Sequence, residues 1–113
     1  MEDCIFCKIR KGEIPSEKVY EDEEMMIIKD IDPKAKNHFL CIPKNHFKLL
    51  SEMTEEDAAQ LAHCFRVIPT LEKELGLAGG YRLVINQGDN AGQSVFHLHI
   101  HILSGQKMGW TPA

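Results

Sequence analysis

The segment from His97 to Leu103 alternates histidines with large apolar residues, and no other part of the chain constrains the fold as strongly. Every second side chain of a β-strand points to the same face, so a strand here presents three imidazoles on one face. Leu98, Ile100 and Ile102 then point to the other face, where they can pack on a core. Successive imidazoles start roughly 6.7 Å apart along such a strand. The alternative is three surface histidines on an edge strand, but three of six histidines within five residues favour a functional site.

The chain has 113 residues, which suit one domain with a modest core, and we expect a single domain over residues 1–113. The net charge is −4 and no dense Lys/Arg cluster is present, which argues against a nucleic-acid polymer as partner. No apolar run reaches 18 residues and no signal-like leader is found, so neither a membrane span nor secretion is expected. The expected location is the reducing cytoplasm, where the four cysteines are thiols or metal ligands rather than disulfides.

Hydrophobic patterning and turn residues predict five strands and two helices. The predicted strands are 19–21, 25–30, 38–43, 81–86 and the histidine segment, and a short helix is predicted over Ile5–Arg10. Thr54, followed by acidic residues, predicts the start of a long helix that continues to Gly76 with a kink at Pro69. The predicted fold is therefore α+β: a five-stranded, mostly antiparallel sheet with one long helix and a short N-terminal helix.

A loop rich in glycine, asparagine and aspartate joins the last two predicted strands, over residues 86–94. Glycines let the backbone turn sharply and bring amides close to a ligand, and such amide concavities bind anions. Loops of this composition are also common for purely structural reasons. The position of the loop favours function, because it delivers Gly92, Gln93 and Ser94 to the start of the histidine strand, beside any phosphate that His99 meets.

Three histidines on one strand face suit two different chemistries. They can hold a catalytic zinc ion with an open coordination position, or a neutral imidazole can act as a nucleophile. Phosphorus is a natural target for such a nucleophile, because its charged oxygens need the donors that neighbouring imidazoles and loop amides supply. An unperturbed histidine is mostly neutral at pH 7 and can therefore attack.

The histidine segment resembles that of the histidine triad (HIT) family of nucleotide hydrolases and transferases. Further landmarks of that family occur along nearly the whole chain. The tail through Trp110 resembles the Hint branch of that family rather than the Fhit branch, and the pair Cys4 and Cys7 resembles a bacterial subgroup. The resemblance implies a HIT-like fold and a homodimer in which Trp110 acts across the subunit interface. The landmarks, in chain order, are Ile14-Pro15, Tyr20-Glu21-Asp22, Asp30-Ile31-Asp32-Pro33, His38-Phe39-Leu40, Ile42-Pro43-Lys44, Gly80-Tyr81-Arg82 and Gly92-Gln93-Ser94.

The resemblance also implies roles for individual residues. His99 is the implied nucleophile, which attacks the α-phosphorus and forms a nucleotidyl-histidine. His101 and Ser94 are implied donors to the phosphate oxygens and the leaving group, and His38 matches a position that supports the central imidazole. The implied nucleotide-binding residues are Asp30 at the ribose hydroxyls, Ile31 at the base, and Asn86, Gly92, Gln93, Ser94, His99 and His101 around the phosphate and ribose.

Three polar residues also have an ordinary structural interpretation. Asp30 and Asn86 each stand at the end of a predicted strand, and without the histidine segment beside them strand termination is the better interpretation. His63 lies on the polar side of the predicted long helix, near Gln60, and is interpreted as a solvated residue.

Cys4-Ile5-Phe6-Cys7 is a C-x-x-C motif with three interpretations. A thioredoxin-like role is disfavoured because no βαβ pattern surrounds the motif. A tetrahedral zinc site needs two more ligands, for which His46 and His97 are the candidates, and the resemblance to bacterial relatives supports the same four residues. Such a zinc is structural because protein ligands fill all four positions, and no catalytic metal is expected. Two buried free thiols are the remaining alternative.

The function implied by the resemblance is hydrolysis of purine nucleoside phosphoramidates of the adenosine 5′-phosphoramidate type. The Hint-like tail and the short chain, which has no evident extra loop for a second nucleotide, favour small P–N leaving groups such as an amine or a lysine side chain. Two alternatives stay open. One is hydrolysis of dinucleoside polyphosphates by the same chemistry, and the other is a regulatory module that binds purine nucleotides and hydrolyses them incidentally.

Overall fold

The computed structural model describes residues 3–110 and confirms the predicted α+β class. The second and fourth strands end one and two residues earlier than predicted. No helix within residues 3–110 combines the length and apolarity needed to cross a membrane. In chain order the elements are α1 (Ile5–Arg10), β1 (Lys18–Glu21), β2 (Met25–Lys29), β3 (Asn37–Pro43), a 3-10 turn (Leu50–Glu52), α2 (Glu55–Val67), a 3-10 turn (Ile68–Leu71), β4 (Tyr81–Val84), a 3-10 turn (Asp89–Ala91) and β5 (Ile100–Ser104).

The strands form one sheet in the order β1-β2-β3-β5-β4, and every neighbouring pair is antiparallel. β5 therefore lies inside the sheet, between β3 and β4, and is not an edge strand. His101 pairs with Leu40 of β3 on one side and with Val84 of β4 on the other. The position of the histidine segment is thus fixed by neighbours on both sides.

Each face of the sheet is covered by a helix. On one face, Leu98, Ile100 and Ile102 are fully buried in a core shared with α2, as their alternation predicts. Complete burial of each such aliphatic side chain stabilises the fold by about 1.5–3 kcal/mol. On the other face, Phe6 and Ile9 of α1 pack over apolar residues of β2 and β3. The histidines leave the sheet on this second face, so that α1 covers part of their row.

α2 begins at its predicted cap and ends earlier than predicted. The Thr54 hydroxyl oxygen accepts a hydrogen bond from the Asp57 amide at 3.1 Å, and the Asp57 carboxylate accepts one from the Thr54 amide at 3.1 Å. The predicted kink at Pro69 is wrong, because α2 stops at Val67 and a 3-10 turn follows. Proline has no N–H for the helical ladder and its ring clashes with the preceding turn, so the α-helix ends instead of bending.

The histidine strand is shorter than its sequence pattern indicates. β5 begins directly after His99, so that His97 and His99 lie in the extended approach to the strand rather than in its ladder. The cause lies at the end of β3, where Pro43 has no amide hydrogen to donate. Beyond that point the Leu98 amide donates instead to the Phe47 carbonyl, at 2.7 Å.

His63 is not the solvated residue that its place on α2 indicates. Its Nε2–H donates to Oδ2 of Asp22, in the turn between β1 and β2, at 2.7 Å, and the Tyr20 hydroxyl donates to the same oxygen at 2.8 Å. The Glu24 and Met25 amides donate to Oδ1 at 2.8 and 3.0 Å. Burial alone raises the pKa of Asp22, but these hydrogen bonds outweigh it and lower the pKa from 3.8 to about 2.

We expect Asp22→Asn to reduce the loss of stability in acid. A carboxyl whose pKa is depressed by folding stabilises the protein above its unfolded pKa, near 4, and that stabilisation disappears as the pH falls towards 2. The shift corresponds to about 2 kcal/mol at neutral pH. Urea unfolding at pH 6 and pH 2 measures it: the difference between the two free energies of unfolding shrinks by about 2 kcal/mol in Asp22→Asn. The difference stays unchanged in Glu56→Gln, because Glu56 is an exposed carboxylate on α2. Equal acid sensitivity of wild type and Asp22→Asn contradicts this assignment.

Candidate functional site

Five of the six histidines form a row across the face of the sheet that α1 covers. The ring of His99 lies 5.0 Å from that of His101, which lies 5.1 Å from the ring of His38 on β3. In the other direction His97 continues the row to His46, whose ring is 4.9 Å away. The row therefore brings together the histidine segment and the two other histidines that the sequence analysis singled out.

A backbone hydrogen bond determines which nitrogen of His99 carries the proton. Nδ1 of His99 lies 2.8 Å from the His97 carbonyl oxygen, which can only accept, so Nδ1–H donates and Nε2 keeps its lone pair. The side chain is 7% exposed, and burial lowers the pKa of His99, so that the ring is neutral at pH 7. A neutral imidazole with an oriented lone pair is the form that nucleophilic attack requires.

A second chain of hydrogen bonds orients His101. The Lys34 amide donates to Nδ1 of His38 at 2.9 Å, so the proton of His38 is on Nε2, which donates to Nδ1 of His101 at 2.9 Å. His101 therefore carries its own proton on Nε2. Burial, assisted by the neighbouring His99 and His38, lowers the pKa of His101 to about 4. His101 thus offers a neutral N–H donor beside His99, and the chain of hydrogen bonds runs from His38 to His101.

Asp30 and Ile31 lie just beyond β2, at the His38 end of the row. Oδ2 of Asp30 lies 3.4 Å from Nε2 of His38, and Oδ1 accepts a hydrogen bond from the Asp32 amide at 2.7 Å. Ile31 is 98% exposed. A carboxylate beside an exposed apolar side chain offers a ligand both hydrogen-bond acceptors and an apolar contact.

The loop between β4 and β5 is braced from inside by Gln93. This side chain is buried, its Oε1 accepts a hydrogen bond from the Gly88 amide at 2.9 Å, and its Nε2 donates to the Lys48 carbonyl at 3.0 Å. The amide group of Gln93 is thus occupied within the protein. Gly92 has a φ of +81°, which glycine adopts without strain. Ser94 follows as an exposed residue ahead of the histidines.

Asn86, the remaining candidate of this loop, lies two residues beyond the end of β4. Its side chain is half-buried, and its carbonyl oxygen accepts a hydrogen bond from the side-chain amide of Gln87 at 3.2 Å. β4 and β5 are antiparallel, and Val84 at the end of β4 pairs with His101. Asn86, two residues after Val84, therefore lies towards His99, two residues before His101. Asn86 is therefore close to the row of histidines, although it lies outside β4.

Two cysteines and two histidines form a second cluster at the far end of the row from Asp30. Sγ of Cys4 lies 3.4 Å from Nδ1 of His97, and Sγ of Cys7 lies 3.4 Å from Nδ1 of His46 and 3.7 Å from Nδ1 of His97. All four ligand atoms lie within 4.8 Å of one another. Zinc bonds of these types place tetrahedral ligands about 3.5 Å apart. The four residues could therefore hold a metal ion.

The surroundings of this cluster also fit a metal. Nε2–H of His97 donates to the Pro43 carbonyl at 2.7 Å, which leaves the Nδ1 lone pair facing the sulfur atoms. Cys4 caps α1, and its sulfur accepts a hydrogen bond from the Cys7 amide at 3.4 Å. Burial raises the pKa of the Cys7 thiol, and a bound dication reverses that shift because it coordinates the thiolate.

A second group of possible metal ligands is formed by Asp30, His38 and His101, whose ligand atoms also lie within 4.8 Å of one another. Both nitrogens of His38 are already engaged, one with the Lys34 amide and the other with His101. A metal ligand needs a free nitrogen lone pair. This arrangement is therefore a hydrogen-bonded chain, and it suits a metal less well than the Cys/His cluster.

Phe6 connects the Cys/His cluster with His99. It lies between Cys4 and Cys7 on α1, is 4% exposed, and meets the rings of His97 and His99 edge-on, with centroids 5.8 and 5.1 Å apart. Such edge-to-face pairs contribute about 0.5–1.5 kcal/mol each beyond their burial. Sequence reasoning missed this residue, although its place inside the C-x-x-C motif was the available signal.

The sequence matches a known family over most of its length. Residues 11–108 match the family model described as the HIT domain. The chain belongs to the HIT family. Among the curated relatives, Protein HitA of Neisseria gonorrhoeae is 48% identical over 103 residues, which are 91% of this chain and 96% of HitA.

Solved HIT structures match the whole fold. A HIT family hydrolase from Clostridium thermocellum has a TM-score of 0.93 and 45% identity, covering 100% of this chain and 99% of that one. A histidine triad family protein from Mycobacterium smegmatis, described as Zn-bound, has a TM-score of 0.80 and 36% identity, covering 99% of this chain and 85% of that one. The chain therefore has the fold of the HIT hydrolases and transferases, and the resemblance noted in the sequence is confirmed.

Proposed function

We propose that this HIT protein hydrolyses purine nucleoside phosphoramidates through a nucleotidyl-histidine formed on His99. The observation that supports this most is the hydrogen bond from Nδ1 of His99 to the His97 carbonyl, which keeps Nε2 unprotonated beside the N–H of His101. The HIT family hydrolases of the same fold support a hydrolytic reaction. The ribose hydroxyls bind the carboxylate of Asp30, and the base packs on Ile31.

In the first step, Nε2 of His99 attacks the α-phosphorus and the P–N bond to the leaving amine breaks. The departing nitrogen takes the bonding pair together with a proton, which Ser94 or His101 supplies or relays. In the second step, water attacks the same phosphorus and the bond to His99 breaks. The proton of the water returns to the donor group, and the nucleoside monophosphate leaves.

Both steps place negative charge on the phosphate oxygens, which therefore need fixed donors. We assign this role to Nε2–H of His101, to Ser94 and to the loop amides that follow Gly92. Gln93 contributes by holding the loop, because its side chain binds the Gly88 amide and the Lys48 carbonyl. The half-buried Asn86 completes the surroundings of the phosphate and ribose.

We further propose that Cys4, Cys7, His46 and His97 hold a structural zinc ion. The two sulfurs, two nitrogens and tetrahedral spacing of the cluster suit zinc, and the Zn-bound relative from Mycobacterium smegmatis supports the same choice. With four protein ligands the ion has no open position for a reacting water. It would tie α1 to the chain that enters β5, and no step of the proposed reaction uses it.

We infer that the protein acts as a homodimer in the cytoplasm. The tail supports the dimer, because Trp110 is 92% exposed and a large aromatic side chain so exposed is typical of a residue that a partner covers. The four free cysteines are typical of a protein from a reducing compartment. Analytical ultracentrifugation of wild type and Trp110→Ala tests the dimer, which the substitution is expected to weaken.

We expect purified protein to prefer AMP phosphoramidates with small amines over diadenosine triphosphate and tetraphosphate. The expected ratio of kcat/KM is at least about tenfold, since this ratio compares transition-state binding of the two substrates. The physical reason is that one nucleotide fills the Asp30 end of the row, while a second nucleotide is a bulky polyanion. Release of AMP from both classes, measured under one condition, gives the ratio. A preference for the dinucleotides favours a polyphosphate hydrolase, and AMP binding without turnover favours a regulatory module.

A further inference from the structure

A pocket of ≈ 340 Å³ opens beside the Cys/His cluster. Its volume falls in the range of small-molecule sites, about 300–1,000 Å³. Ser94 is the one residue of its lining that also belongs to the proposed phosphate site. The lining residues are Asp3, Cys4, Ile5, His46, Ser94, Val95 and Phe96.

The register of the strands places this pocket at the opposite end of the row from Asp30. His101 pairs with Leu40, in the half of β3 that begins next to Asp30, whereas the His97 ring binds the carbonyl of Pro43 at the end of β3. The row of imidazoles therefore runs from Asp30 towards the pocket, with His99 between the two ends. If the nucleoside lies at Asp30 and the phosphorus at His99, the pocket end is left for the third part of the substrate.

The geometry of displacement also bears on where the leaving group lies. The attacking and leaving atoms lie roughly in line through the phosphorus, so the leaving group departs away from His99. Ser94, a proposed donor of the proton to that group, forms part of the pocket wall. A leaving amine that is protonated there has its substituent in the pocket.

We propose that this pocket binds the leaving group and selects amines that carry an apolar, preferably aromatic, body and no negative charge. This inference rests on the proposed phosphoramidate reaction and names its second substrate class. Ile5, Val95 and Phe96 give the pocket an apolar wall, and Ile5 and Phe96 are 42% and 53% exposed, so a ligand has apolar surface to cover.

The charge of the pocket supports the second part of the proposal. Asp3 is the one acidic side chain in the lining, and its carboxylate repels a carboxylate or phosphate on the leaving group. The ammonium of Lys48 lies over the Phe96 ring, 4.5 Å from its centroid, and its attraction for an anion offsets part of the repulsion from Asp3, so the net effect is small. An anionic leaving group therefore meets repulsion at Asp3, whereas a neutral or cationic one does not.

The test compares three amines attached to the same AMP: methylamine, phenethylamine and 4-(2-aminoethyl)benzoate. All three leave as primary alkylamines, so they differ mainly in the body and charge that reach the pocket. We expect kcat/KM for AMP release from the phenethylamine substrate to exceed that for the methylamine substrate about tenfold. We expect the carboxylated substrate to fall about threefold below the phenethylamine one, because Asp3 is exposed and its field is screened.

Variants of the wall assign these preferences to the pocket. Phe96→Ala is expected to reduce the phenethylamine to methylamine ratio to nearly one, whereas Phe65→Ala, which removes a 40% exposed aromatic ring from α2, keeps the ratio. Ile5→Ala is the second wall variant if Phe96→Ala is not recovered in folded form. Asp3→Asn is expected to remove the threefold penalty of the carboxylate, and Glu56→Gln is its matched control. Ratios within one preparation cancel differences in the amount of active protein.

The outcomes separate this inference from the proposed function. Equal kcat/KM for methylamine and phenethylamine, or an unchanged ratio in both wall variants, overturns the pocket assignment and leaves the phosphoramidase reaction standing. An unchanged carboxylate penalty in Asp3→Asn overturns the role of Asp3. Failure of the wild-type protein to release AMP from all three substrates contradicts the proposed function, and the pocket assignment with it.

Discussion

Replacement of His99 by alanine is expected to lower kcat for AMP phosphoramidates by at least about 10⁴-fold, because removal of a nucleophile leaves only binding and electrostatic effects. His101 cannot substitute for it, since its Nδ1 accepts a hydrogen bond from His38 and its Nε2 carries the proton. Single-turnover and steady-state release of AMP measure the loss. Circular dichroism and AMP binding establish that the variant is folded and retains its nucleotide site.

The matched control is His63→Ala, the same substitution on α2. His63 binds Asp22, outside the row of imidazoles, so this variant loses some stability and keeps its turnover. A covalent nucleotide, trapped by quenching without acid, is expected on His99 of the wild-type protein. An adduct on His101, or full activity of His99→Ala, contradicts the assignment of the nucleophile.

The parts of the fold that follow from local periodicity were predictable. The alternation around His99 predicted which residues share a face, and Leu98 and Ile100 are buried on the opposite face as expected. The cap at Thr54 was also predictable, because its two hydrogen bonds join residues only three apart. Both signals depend on neighbours along the chain, which the sequence displays directly.

The contacts that the sequence did not reveal join distant residues. His63 and Asp22 are 41 positions apart, and no local pattern links a residue of α2 with the β1–β2 turn. The inward orientation of Gln93 depends on the Lys48 carbonyl, 45 positions away. In the same way, Phe6 meets His99 only because α1 folds back over the sheet. Tertiary packing decides these contacts.

Our preference for a nucleophilic imidazole over a catalytic zinc rests on the hydrogen bonds of the three histidines, which the sequence does not display. A shared ion needs three lone pairs directed at one point. Instead, Nδ1 of His97 faces the cysteine sulfurs, Nδ1–H of His99 faces a carbonyl, and Nδ1 of His101 faces His38. The alternation predicts three histidines on one face, whereas the hydrogen bonds give each of the three a different partner.

The Cys4→Ser variant is expected not to bind the proposed zinc ion. Its free energy of unfolding is expected to fall by about 4 kcal/mol or more, which is the stabilisation that a ligand gives at a thousand times its Kd. This corresponds to a fall in Tm of roughly 15 °C for a domain of this size. The physical reason is that the cluster ties α1 to His97 and His46, over sequence separations of 93 and 39 residues. Metal content by atomic absorption and thermal unfolding measure the two effects.

Cys64→Ser is the matched control, because Cys64 is a fully buried cysteine in the core on the other face of the sheet. It loses packing and keeps all four proposed ligands. A strong chelator is therefore expected to lower the Tm of wild type and of Cys64→Ser, and to leave that of Cys4→Ser unchanged. The same response in all three proteins contradicts the ligand set, as does the absence of metal from wild type purified without chelators.

Turnover by folded Cys4→Ser distinguishes a structural metal from a catalytic one. We expect measurable hydrolysis to remain, because in the proposed reaction His99 attacks the phosphorus, and the lone pair of its Nε2 depends on the His97 carbonyl rather than on an ion. We also expect kcat to fall, since loosening of α1 frees the Phe6 ring that packs edge-on against His99. Activity that vanishes in folded, metal-free protein and returns when zinc is added means instead that the metal takes part in the reaction.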